Sequence, residues 1–122
     1  MISPNLVLLY VEDPTRSARF YERLFERPPV AAFPTYAAFT FDSGLTLGLW
    51  STHARDFVSG GAGHRSELAF IVDDDRDVQR LYDAWRALGV PFEQAPTAAV
   101  FGLTFVALDP DGHRLRVCTP DE

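Results

Sequence analysis

Hydrophobic and polar positions along this chain change period in a fixed rotation. Leu6 to Val11 is a near-continuous apolar run of strand length. Asp13-Pro14 follows, an N-cap candidate with proline at the first helical position. Ser17, Phe20, Tyr21 and Leu24 then fall at i, i+3, i+4 and i+7, one face of a helix, with Arg16, Arg19, Glu22 and Arg23 largely off it. Pro28-Pro29 stops this helix. Ala31 to Phe33 reads as a short strand halted at Pro34. Tyr36 to Phe41 and Leu45 to Trp50 read as a hairpin turning at Asp42-Ser43-Gly44.

The stretch 51–66 has no clear period and carries Gly60, Gly61 and Gly63, so it is expected to be a linker. The rotation then restarts. Glu67 to Val72 is a strand, Asp73-Asp74-Asp75 supplies a helix cap, and Val78, Leu81, Tyr82, Trp85 and Leu88 keep helical spacing up to Gly89 and Pro91. Pro91 to Gln94 is a short strand candidate. Phe101 to Leu108 and Arg114 to Cys118 form a second hairpin around Asp109-Pro110-Asp111-Gly112, where proline presets a turn and glycine accepts positive φ.

The order is therefore βαβββ, linker, βαβββ, an internal repeat. Strand alternation sorts its residues into two faces. Val7, Leu9, Val11, Leu45, Leu47, Leu49, Leu68, Phe70, Val72, Leu115 and Val117 form an apolar side for the helices to cover. The opposite side is mixed: Leu6, Leu8 and Tyr10, then Thr46, Gly48 and Trp50, then Glu67, Ala69 and Ile71, then Arg114, Arg116 and Cys118. Such a face has the composition of a concave ligand pocket.

Composition narrows the partners. The 122 residues carry 47% hydrophobic side chains and a net charge of −6, with arginine supplying every basic side chain. An acidic chain without a basic cluster is expected to bind neither nucleic acid nor an anionic membrane. The acidity is compatible with a cationic small ligand, and solubility explains it equally well. One cysteine excludes an internal disulfide and a thiolate metal cluster. With no basic leader and no run of membrane-spanning length, the expected location is the cytoplasm.

The paired modules, the segments VEDPTRSARFYERLF and SELAFIVDD, and the ending FVALDPDGHRLRV resemble the vicinal oxygen chelate superfamily. That group includes glyoxalase I, extradiol dioxygenases, fosfomycin-modifying proteins and the bleomycin resistance proteins. The resemblance implies an α+β fold in which two βαβββ modules form a cupped mixed sheet with helices outside. It implies one domain over 1–122, with module 1 at about 5–50, the linker at 51–66 and module 2 at about 67–119, usually as a homodimer.

In metal-using members of that family, each module contributes ligands from its first and last strands. The histidine expected seven residues before the capping aspartate is Leu6 here, and the last strand of the first module offers Gly48. The second histidine position is Glu67, and the glutamate expected four residues after the late turn glycine is Arg116. A guanidinium cannot ligate a divalent cation. The expectation is therefore no metal, no cofactor and no catalytic residue. Glu67 and Arg116 are expected to form a charge pair, either purely structural or in contact with a ligand.

The site residues expected to touch a small-molecule ligand are Tyr10, Trp50, Glu67, Phe101, Arg114 and Arg116. Trp50 could stack on a planar ligand, or plug the cup or a dimer interface. His53, His64 and His113 read as solvated loop histidines, and Cys118 as an inert thiol. The function this supports is metal-independent binding that sequesters an aromatic or cationic antibiotic-like compound. Two rivals stand beside it: a lyase, isomerase or dioxygenase with unusual metal ligands, and a domain whose dimerisation is its main property.

Overall fold

A computed structural model of the chain describes residues 2–55, 66–100 and 102–120. The chain divides into two compact units, residues 1–61 and 62–122, each with the same element order.

The first unit contains β1 (Leu6–Val11), α1 (Pro14–Phe25), β2 (Ala31–Phe33), β3 (Tyr36–Thr40) and β4 (Thr46–Ser51). Asp13 caps α1 by accepting from the backbone N–H groups of Thr15 and Arg16, with Pro14 behind it where no donor is needed. The helix ends before the proline pair, because Glu26 turns left-handed at φ 54° and returns its N–H to the Glu22 carbonyl. The strands form a four-stranded sheet in the order β1-β4-β3-β2, with β1 and β4 parallel and the other pairs antiparallel. Its hairpin turns at Gly44, whose φ of 92° suits glycine. The core lies between sheet and helix: Val11, Tyr21, Phe39 and Leu49 are fully buried, and Phe25 meets Tyr21, Phe39 and Phe41 at 5.1–5.4 Å between ring centroids.

The second unit repeats the plan with β5 (Leu68–Ile71), α2 (Asp75–Ala87), β6 (Phe92–Ala99), β7 (Gly102–Leu108) and β8 (Arg114–Cys118), in the sheet order β5-β8-β7-β6. Asp74 is the cap of α2, accepting from Arg76 and Asp77 N–H. Trp85 packs edge-on against Phe70 and Phe105, and Phe105 also meets Tyr82 and Phe92. Strand β6 is twice the expected length. Its pairing with β7 slips between Phe92 and Gln94 and again between Gln94 and Thr97, the interval that holds Pro96. Proline cannot donate to a ladder, so it sits where the ladder is already broken. These irregularities hid the far half of the strand from a reading based on strict alternation.

In each unit the helix packs against its own sheet, and of the residues expected to face it Val11, Leu47, Leu49, Leu115 and Val117 are buried while Val7, Leu9, Leu45, Leu68, Phe70 and Val72 are half-buried. No helix among the described residues is long and apolar enough to cross a membrane.

Candidate functional site

The open face of each sheet, away from its helix, carries the residues singled out for chemistry. In the second unit, alternation along β8 turns Leu115 and Val117 into the core and Arg114 and Arg116 outward. Glu67 stands just before β5, which runs parallel to β8 in a register that sets Leu68 opposite Leu115 and Ala69 opposite Arg116. Glu67 thus approaches Arg116 diagonally and can reach Arg114 as well.

It does both. Arg116 Nε donates to Glu67 Oε1 at 2.7 Å and Nη2 donates to Oε2 at 3.1 Å, the two-pronged arrangement that a planar guanidinium makes with a carboxylate. Arg116 Nη1 donates to Thr104 Oγ1 at 3.1 Å, and that hydroxyl in turn donates to the Val117 carbonyl at 2.8 Å. Thr104 is buried, so the Arg116 head group is held from both sides. Arg114 pairs with Glu93 through Nη2 at 2.7 Å. Its Nε lies 3.4 Å from Glu67 Oε2, an ion-pair contact whose geometry is not that of a hydrogen bond, and this buried N–H has no hydrogen-bond partner. Four charged side chains and one hydroxyl therefore form a single network on one sheet face.

The fork fixes the charges of Glu67 and Arg116. The Arg116 hydrogen bonds, reinforced by the charges of both arginines, hold the Glu67 carboxyl below the usual carboxylate range against the opposing effect of burial. Glu67 correspondingly raises Arg116, which stays a cation.

In the first unit the matching face is apolar and aromatic. Leu6, Leu8 and Tyr10 are 48%, 39% and 44% exposed. Tyr10 lies opposite Trp50 across the β1–β4 pair, with ring centroids 6.3 Å apart in an edge-to-face arrangement. Tyr36 is Trp50's neighbour on β3, and its ring covers Gly48. A Cβ at Gly48 would stand 2.7 Å from the Tyr36 hydroxyl and 2.9 Å from Leu8 Cδ1. The position where the resembled family would offer a donor is thus a bare backbone under a phenol.

The residues present do not fit a divalent metal. Of the four positions at issue, Leu6 and Gly48 have no donor, Arg116 is a cation, and both Glu67 oxygens are taken up by guanidinium. Among the described residues no three histidine, cysteine, aspartate or glutamate side chains converge.

Of the six residues expected to touch a ligand, the structure joins Glu67, Arg114 and Arg116 in the second unit, and Tyr10 with Trp50 in the first. Phe101 lies outside the described residues, as does His64. Cys118 is partly buried on the same face as the arginines. Sequence reasoning missed Thr104 and Glu93. Thr104 could have been found from its place on the outward side of β7, opposite Cys118. Glu93 sits in the slipped β6 pairing, for which the sequence carries no alternation signal.

His113 also departs from expectation. It is mostly buried, and its Nδ1 lies 2.8 Å from Oδ2 of the fully buried Asp109 side chain. Asp109 Oδ1 accepts from the N–H groups of Asp111 and His113, which ties the turn closed. The bond to Asp109 raises the His113 pKa above its ordinary 6.5, outweighing burial. Carboxylate and imidazole four apart in a tight turn was the available signal.

Comparison with known proteins follows the same lines. A sequence model of the Glyoxalase/Bleomycin resistance protein/Dioxygenase superfamily matches residues 3–117. The phenazine antibiotic resistance protein EhpR of Enterobacter agglomerans is 33% identical over 98% of this chain and 94% of its own. A protein of Agrobacterium tumefaciens, solved by NMR in solution, is 41% identical over 98% of each chain with a TM-score of 0.85. A glyoxalase-related enzyme from Fulvimarina pelagi shares the fold, with a TM-score of 0.80 at 24% identity over 98% of this chain and 90% of its own.

Proposed function

The chain belongs to the Glyoxalase/Bleomycin resistance protein/Dioxygenase superfamily, and we propose that within it the protein binds a planar aromatic compound of antibiotic type without the help of a metal. The observation that carries the proposal is the Glu67–Arg116 fork. The carboxylate that could have served as a donor is committed to a guanidinium standing at the family's other donor position. A protein so arranged has lost the means to activate a substrate through a cation and kept the means to hold one. The phenazine antibiotic resistance relative supports the choice of an aromatic ligand class. The pair of exposed Tyr10 and half-buried Trp50 in the first unit offers a stacking surface. The ionic network of the second unit offers polar recognition.

The same reading takes the protein to be a cytoplasmic homodimer. Its one cysteine requires no oxidising compartment, and the exposed apolar row of Leu6, Leu8 and Tyr10 is surface that association can bury. Light scattering at twice the chain mass checks the dimer.

The experiment is a thermal-shift panel with phenazine and other planar aromatics on protein purified without chelator, accompanied by elemental analysis. A ligand present well above its Kd stabilises by about 2.7 kcal/mol at a hundredfold excess, enough to raise Tm by several degrees. Stabilisation by an aromatic compound, with no stoichiometric Fe, Mn, Ni or Zn, is the expected result. Stoichiometric metal overturns the proposal in favour of a metal-dependent lyase, isomerase or dioxygenase.

A further inference from the structure

We infer that the ionic network of the second unit is an anion-exchange site: Glu67 holds the place on Arg116 that a carboxylate of the ligand takes, and on displacement moves onto Arg114. The inference rests on the reading of this face as ligand-binding and adds the charge of the ligand.

Three observations carry it. The first is the donor balance. Two guanidiniums bring ten N–H donors, of which Arg116 places three on Glu67 and Thr104 and Arg114 places one against Glu93. The second is that the surplus is already felt, since Arg114 Nε is buried without a hydrogen-bond partner. A buried donor left unmade is costly, so any rearrangement that satisfies it is favoured. The third is proximity. Glu67 Oε2 is 3.4 Å from that same Nε, so the carboxylate needs to move only a fraction of an ångström to an ångström or so to bond it.

The alternatives are less well balanced. A cationic ligand would have to take Glu67 from Arg116, stranding a second guanidinium while Arg114 Nε stays unsatisfied. A neutral ligand leaves the network as it is. A carboxylate on Arg116 reproduces the fork that Glu67 gives up, keeps the Thr104 hydroxyl beneath Nη1, and frees Glu67 to complete Arg114. The overall acidity of the chain does not oppose this, because within the network the two arginines balance the two glutamates, and Glu93 is half-exposed, so its charge is screened. The exchange breaks and forms only hydrogen bonds and ion pairs, and no proton changes hands.

The test compares two probes of one shape, phenazine-1-carboxylate and phenazine-1-carboxamide, by isothermal titration on the full chain. The carboxylate is expected to bind about tenfold or more tightly, the worth of a charge-assisted bond over a neutral one. In Glu67→Gln the placeholder no longer competes for Arg116, so carboxylate affinity is expected to rise, and by more than carboxamide affinity. If the carboxamide binds as well as the carboxylate, the exchange is wrong while the aromatic-binding reading survives. If Glu67→Gln weakens the carboxylate, Glu67 is not a placeholder. If neither probe binds, both readings fall. The wild-type comparison needs no variant and stands even if Glu67→Gln folds poorly.

Discussion

Removing Glu67 and Arg116 singly and together tests the network where it is most closely specified. The pair makes two charge-assisted hydrogen bonds, at 2.7 and 3.1 Å. Fully buried, each would contribute about 1.5–3 kcal/mol, whereas a fully exposed ion pair contributes about 0–1. The two side chains are roughly a quarter exposed, at 24% and 26%, so the coupling is expected between these limits, at about 1–2 kcal/mol. The assay is a double-mutant cycle of Glu67→Ala and Arg116→Ala by chemical denaturation, read beside the same cycle for Glu67 and Arg114. The second coupling should be the smaller, below about 1 kcal/mol, because that contact is 3.4 Å long and is not a hydrogen bond. The pH dependence has a definite sign. The Glu67 pKa is lowered in the folded state, so its contribution is present above the ordinary value of 4.5 and is lost as pH falls through the lowered one. The stability difference between wild type and Glu67→Gln should therefore shrink as the solution is acidified below pH 4.5. An Arg114 coupling equal to or larger than the Arg116 coupling would refute the geometry. A stability difference that grows on acidification would refute the electrostatics.

His113 gains a partner on folding and its pKa rises, so its contribution is complete below pH 6.5 and is lost as pH climbs through the raised value. Denaturation of wild type and His113→Gln across that range should show the largest gap on the acid side, and a flat gap would contradict the Asp109 pairing. Gly48→Ala forces a methyl against the Tyr36 hydroxyl and Leu8, at an expected cost of about 1–3 kcal/mol. Calorimetry showing no loss would mean that the phenol does not rest on Gly48. Phe105→Ala empties the centre of the second unit, where the ring is fully buried, and should cost about 3–5 kcal/mol by the same assay.

The sequence was legible wherever a local rule and the fold agreed. Asp13 and the run Asp73-Asp74-Asp75 could be read as helix caps because a short acidic side chain beside an apolar-periodic run has few other uses, and in the structure Asp13 and Asp74 are the caps. The hairpins could be placed because Gly44 and Gly112 take positive φ where strand runs end. The pairing of Glu67 with Arg116 followed from the family resemblance, whose ligand positions fall on the first and last strands of the second module, and the structure sets the starts of those two strands side by side in a parallel pair. What stayed hidden is non-local or irregular. The full length of β6 is concealed by slipped pairing around Pro96, and with it the approach of Glu93 to Arg114. The anchoring of Arg116 by Thr104 depends on a third strand whose register no short-range pattern fixes. The His113–Asp109 bond was overlooked because turn residues are read as solvated by default, whereas this turn folds its aspartate inward.

The central claim is that a guanidinium–carboxylate pair has taken the place of a cation, so that holding a ligand requires no metal. The most direct measurement is titration of the protein with phenazine-1-carboxylate twice, once after exhaustive chelation and once after loading with a divalent metal such as Zn or Mn. Equal affinity in the two titrations is the predicted result. Binding that disappears on chelation and returns with the metal would contradict it.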